Sequence, residues 1–208
     1  MRKLIFVVLT LSLFCNIFCF SASAESQSAG NERIYMLATP EGVAKVSKEQ
    51  YDYVIHSSDR MVAFNSLDLQ IEPIEPSNTR RNSNESYSIV RPRQNSYAHR
   101  AYGDRGVWDI EKITIESGQT MFYYKLGKEW FEVAYDDVME ISINVFNARM
   151  RIGIEGDNGF DVPKEEYAFS GLTLGVIIRE EEGTLFRAYV TNKKDSDVSI
   201  TGYIQIYD

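Results

Sequence analysis

The chain has 208 residues, of which 44% are hydrophobic and 25% charged, with 30 acidic against 22 basic side chains. That acidic balance argues against general nucleic-acid binding and against adhesion to anionic membranes. The length is sufficient to bury a substantial core without crosslinks.

Arg2 and Lys3 precede an apolar run from Leu4 to Phe20, and Ala22-Ser23-Ala24 supplies the small side chains that a signal peptidase accommodates. Residues 1–24 are therefore expected to be a cleavable signal peptide, and the mature chain to be secreted into the extracellular space. The alternative is a retained anchor, since 17 apolar-rich residues reach the lower end of what spans a bilayer. Cys15 and Cys19 both fall inside the run, so the mature chain is expected to hold no thiol, no disulfide and, once the signal is cut, no membrane attachment.

Residues 25–76 read as a small N-terminal segment. Ile34-Tyr35-Met36-Leu37 suits a short strand, and Thr39-Pro40-Glu41-Gly42 a turn. Ser47 with Gln50 three residues on is a capping-box pattern, opening a short helix that runs to about His56. Its Tyr51, Val54 and Ile55 share one face, so the helix should dock on something larger. Arg60 to Ile71 reads as extended, ended by Pro73 and Pro76.

Residues 77–106 are poor in aliphatic side chains and rich in Asn, Ser, Arg and Tyr, which predicts a flexible linker or long surface loop. Six arginines lie between Arg80 and Arg105, against only Glu85 and Asp104.

Residues 107–208 carry the clearest pattern. Met139, Ile141, Ile143 and Val145 alternate with Glu140, Ser142, Asn144 and Phe146. Met150, Ile152 and Ile154 repeat the period, as do Val198, Ile200, Ile204 and Ile206 against Ser199, Thr201, Tyr203, Gln205 and Tyr207. Period two over this length means strands with one buried face. Further strands are expected at 110–115, 120–126, 129–135, 172–179 and 184–191, with Gly127-Lys128 as a hairpin turn. About eight antiparallel strands with short connections predict a mainly all-β fold, an antiparallel β-sandwich of jelly-roll type.

Chemistry-bearing motifs are scarce. His56 and His99 are the only histidines and fit no zinc pattern; His56 is placed to meet helix-end carbonyls. There is no Gly-x-Ser-x-Gly elbow and no Gly-rich phosphate loop, and no motif implies a cofactor. Asp136 and Asp137 suit a tight turn. Asp157, Asn158 and Asp161 put hard oxygen donors around a Gly-containing turn, the chemistry that calcium selects, although the spacing is not that of an EF-hand. Arg91, Arg93, Arg100 and Arg105, interleaved with Tyr87, Tyr97 and Tyr102, offer a positive aromatic segment. Tyr203 and Tyr207 stand on the face opposite the core, free to bind unless the N-terminal segment covers them. These features favour a secreted non-enzymatic protein with a binding or structural role at a cell surface or in extracellular material. Its partner would be an extracellular polymer, a carbohydrate or a protein. The alternative is a secreted polysaccharide hydrolase using paired carboxylates.

Overall fold

The computed structural model describes residues 32–74, 85–92, 104–125, 127, 129–179 and 185–208. The chain divides into two units, Met1–Glu32 and Arg33–Asp208, and the architecture that follows is that of the second. The expected signal, residues 1–24, lies outside the described residues.

In chain order the elements are β1 (Ile34–Thr39), β2 (Gly42–Val46), α1 (Lys48–Ile55), α2 (Arg60–Ser66), β3 (Glu85–Ile89), β4 (Arg91–Pro92), β5 (Asp104–Ile115) and β6 (Thr120–Tyr124). There follow β7 (Phe131–Glu132), β8 (Val138–Asn144), β9 (Ala148–Gly156), β10 (Asp161–Ala168), β11 (Gly171–Ile177), β12 (Leu185–Asn192) and β13 (Val198–Tyr207). One sheet has seven strands in the order β2-β1-β11-β8-β13-β5-β4. The other has six, β10-β9-β12-β6-β3 with β7 paired to β12. Together they form the β-sandwich that the period-two pattern predicts.

The alternation has its physical outcome between the sheets. Met139, Ile141 and Ile143 of β8 meet Met150, Ile152 and Ile154 of β9 and Ile200, Ile204 and Ile206 of β13 in one buried cluster. Burying each such side chain contributes about 1.5–3 kcal/mol relative to leaving it in water.

A second apolar cluster lies on the opposite face of the seven-stranded sheet. Tyr51, Val54 and Ile55 of α1 and Ala63 and Phe64 of α2 pack over Leu37, Val138, Ile177 and Tyr207. Both faces of that sheet are thus covered at its middle, and β11 is buried at every residue. Helix α1 forms as expected: the Ser47 hydroxyl accepts from the Gln50 backbone N–H, and the Gln50 side chain accepts from the Ser47 N–H. His56 Nδ1 lies 2.8 Å from the Asp52 carbonyl oxygen, at the helix end.

Several elements differ from expectation. Residues 60–66 form a helix rather than an extended segment, because Asp59 accepts from the Val62 N–H and Arg60, Ala63 and Phe64 turn to one buried face. The sandwich also begins far upstream of residue 107. β1 enters the seven-stranded sheet beside β11, and β3, from the stretch expected to be a linker, joins the six-stranded sheet beside β6. Both pairings are parallel, whereas the others are antiparallel. The strand expected at 129–135 is confined to β7. Residues 77–84 and 93–103 of the expected linker lie outside the described residues.

β10 is an element the hydrophobic pattern does not announce. Between buried Val162 and Ala168 it carries Pro163, Lys164, Glu165 and Glu166, because it is an edge strand. Charge and proline blunt an edge that would otherwise template pairing with another chain. Glu166 meets Lys45 of β2 at 2.8 Å, and Lys164 pairs with Glu72, so ion pairs run along one open seam of the sandwich.

Candidate functional site

The solvent side of the six-stranded sheet is paved with rings. On β12, Phe186, Ala188 and Val190 enter the core, which turns Arg187 and Tyr189 outward. Tyr189 lies opposite Gly153 of β9 and Phe122 of β6, and Phe122 lies opposite Tyr87 of β3. Gly153 is required by close approach: a Cβ there would stand 2.3 Å from the Tyr189 ring. Tyr87 stacks on Phe122 at 6.0 Å and 27° and leans on Tyr124 at 5.7 Å, while Tyr124 meets Trp130 edge-on at 6.3 Å. The inner rings are buried by their neighbours, whereas Tyr87 is 58% exposed.

Arg187 lies among these rings. Its guanidinium carbon is 4.1 Å from the Phe122 centroid, 4.8 Å from Trp130 and 5.4 Å from Tyr124. Its nitrogens donate to Glu155 and to the Tyr124 hydroxyl. Tyr189 donates to Asp161 Oδ1 at 2.9 Å. The polar groups among the rings are therefore paired with one another.

Of the residues singled out from sequence, Tyr87 and Asp161 belong to this platform, and the other described ones lie elsewhere. Arg91, on β4, lies opposite Asp109, which in turn lies opposite Tyr203, so Arg91 and Tyr203 share a cross-strand row of the other sheet. Arg93 and Arg100, like His99, Tyr97 and Tyr102, lie outside the described residues, and Arg105 falls within β5. Tyr207 is only 9% exposed and packs edge-on against His56. The N-terminal segment covers it, so it offers no free ring. Of the three oxygen-bearing residues at the turn (Asp157, Asn158 and Asp161), Asn158 Oδ1 accepts from the Phe160 N–H, and Asp161 accepts from Tyr189. Among the described residues no group of three His, Cys, Asp or Glu side chains could hold a metal ion. Asp136 and Asp137 make the expected turn, with Asp137 Oδ2 accepting from the Ala134 N–H at 3.0 Å.

Glu140 is the buried carboxyl that the alternation had placed on a solvent face. It lies under α1, 1% exposed. Its Oε2 accepts from Tyr51 at 2.6 Å and from Tyr207 at 3.1 Å. Gly175, opposite Glu140 on β11, makes room: a Cβ there would come within 2.6 Å of the Tyr51 hydroxyl. Burial pushes the Glu140 carboxyl above the usual range, opposed by hydrogen bonds from Tyr51, Tyr203 and Tyr207 and by the charge of Arg33. The fold thus favours the neutral acid. Its contribution to stability is full below the ordinary carboxylate range and is lost as pH rises through the raised folded value. Glu140→Gln, measured by thermal melts from acid to mildly alkaline pH, should flatten the pH profile and gain most over wild type at the alkaline end. Parallel profiles for the two proteins would refute this.

No protein-family model matches the chain, and no curated protein sequence matches it. Among solved structures, it is similar to an oxalate oxidase in complex with the substrate analogue glycolate, at 12% identity and TM-score 0.28, over 47% of this chain and 41% of that one. It is also similar to the pre-peptidase C-terminal domain of a Bacillus anthracis collagenase, at 11% identity and TM-score 0.32, over 60% of this chain and 98% of that domain. A third is a Lactobacillus farciminis oxalate decarboxylase in a formate complex, at 11% identity and TM-score 0.29, over 74% of this chain and 49% of that one. The chain thus spans less than half the length of the oxalate oxidase that it matches. Likenesses this distant carry no argument about activity.

Proposed function

We propose that this is a secreted, non-enzymatic β-sandwich protein that binds extracellular material through the aromatic face of its six-stranded sheet. The observation that carries the reading is the ring platform around Arg187, topped by the exposed ring of Tyr87. Exposed aromatics held rigid by their neighbours concentrate binding energy, because little side-chain entropy remains to be lost on contact. The secretory part of the reading rests on residues 1–24 and on the placement of both cysteines within them.

The test is a pull-down of purified protein on insoluble cell-wall and matrix polymers, beside a Tyr87→Ala/Trp130→Ala double variant. Tyr87 is on an edge strand and exposed, so its loss should leave the fold intact, which a thermal melt checks. Retention by at least one polymer should fall about tenfold or more in the variant. Undiminished retention would move the binding surface elsewhere, and turnover of a glycan would decide for the paired-carboxylate hydrolase.

A further inference from the structure

We propose that the ligand of the aromatic face is a neutral polysaccharide whose sugar rings stack on Tyr87 and Trp130, an inference that rests on the binding role assigned to that face. The first argument is charge. The guanidinium inside the platform, Arg187, already spends Nε and Nη2 on Glu155 and Nη1 on Tyr124, so its charge is matched by a carboxylate and each of its nitrogens has a partner before any sulfate, phosphate or uronate arrives. Farther along the same strands, Glu165 is met by Arg149 at 2.6 Å and by Arg151 and Lys193 at 4.0 Å. With Arg187 these make four cations, set against four carboxylates on the same side of the sheet, Glu165, Glu155, the Asp161 that Tyr189 bonds and the Glu85 beside Tyr87, so these charges balance. A polyanion needs a surplus of cations to release its counterions, and the described residues of this face supply none.

The second argument is shape and surface chemistry. Tyr87 is stacked on Phe122 and tilted against Tyr124, yet more than half of the residue remains exposed to solvent. An aromatic face carries negative quadrupolar charge, which suits the weakly positive C–H face of a pyranose. Ring-to-ring steps of 5.7 and 6.3 Å lead from Tyr87 through Tyr124 to Trp130, a span on the order of a short oligosaccharide. Glu85, exposed on the same edge strand and bonded to the Tyr87 hydroxyl at 3.3 Å, adds an acceptor for sugar hydroxyls.

The experiment is calorimetric titration of the full protein with soluble neutral oligosaccharides (β-glucan, xylan and mannan hexamers) and with two polyanions, polygalacturonate and heparin. Each is run at about 50 and about 500 mM salt, a range that screens exposed charges strongly. The expected result is binding to a neutral hexamer, changed less than about twofold by salt, and weakened about tenfold or more by Tyr87→Ala. Binding confined to the polyanions, steeply salt-dependent yet still lost with Tyr87→Ala, would overturn the neutral-glycan assignment and leave the binding face standing. Binding that is indifferent to Tyr87→Ala and Trp130→Ala would overturn the face itself. No heat with any neutral hexamer, while the protein is retained on a proteinaceous matrix polymer through Tyr87, would overturn the glycan in favour of a protein partner.

Discussion

Ile143→Ala is expected to destabilise the protein by about 2–5 kcal/mol, the range for emptying a fully buried aliphatic site. Ile143 is 0% exposed and sits in β8 between Leu172 of β11 and Gly202 of β13. Its neighbours belong to two sheets and cannot collapse together onto the vacated volume without dragging backbone with them. Asn144, one residue on, points to the other face, where its side chain bonds Thr201 at 3.1 Å and Arg33. Because that site is exposed and water can replace the lost bonds, Asn144→Ala should cost under about 1 kcal/mol. Chemical denaturation of both variants gives the contrast. Equal losses would mean that the side taken as core has been misassigned.

Arg60→Ala is expected to cost about 2–4 kcal/mol, since a buried charged donor serving several acceptors is removed at once. Arg60 opens α2 and is 7% exposed. Its Nε donates to the Ile55 carbonyl at 3.1 Å, Nη1 to the Asp136 carbonyl at 2.8 Å and Nη2 to the Asp208 carbonyl at 3.0 Å. One guanidinium thereby ties the end of α1, the turn before β8 and the residue that follows β13. Asp136 adopts φ 62°, a left-handed conformation that Asp tolerates and that aims its carbonyl at the arginine. Arg60→Lys should recover only a minor part of the loss, because a single ammonium cannot reproduce the planar fork. A wild-type denaturation midpoint for Arg60→Ala would show that the clamp is dispensable.

The aromatic face proposed to bind was only partly legible. Alternation in β12 is enough to send Arg187 and Tyr189 to one side, and Gly153 marks a place where something must come close. In β6, however, Thr120-Met121-Phe122-Tyr123-Tyr124 is buried throughout, so hydrophobicity carries no period there. Tyr123 enters the core while Phe122 and Tyr124 join the platform, a split that only the strand's neighbours impose. Tyr87 was legible only as one ring of the arginine-rich segment, not as part of a sheet. Its stretch is too poor in aliphatics to predict order, yet β3 pairs its backbone with β6 along five residues, which sets Tyr87 over rings that β6 already presents.

Local chemistry by itself determined the helix cap at Ser47, the docking face of α1, the turn at Asp136-Asp137 and the inward side of β8, β9 and β13. Each depends on residues a few positions apart, where period and hydrogen-bonding geometry act directly. Tertiary structure alone decided that β1 runs parallel beside β11, that residues 60–66 coil rather than extend, and that Glu140 and Tyr207 are buried. A polar alternation of Glu140 and Ser142 with apolar neighbours looks the same whether water or a helix lies above it. Only the arrival of Tyr51 over Gly175, from a segment almost ninety residues earlier, settles which.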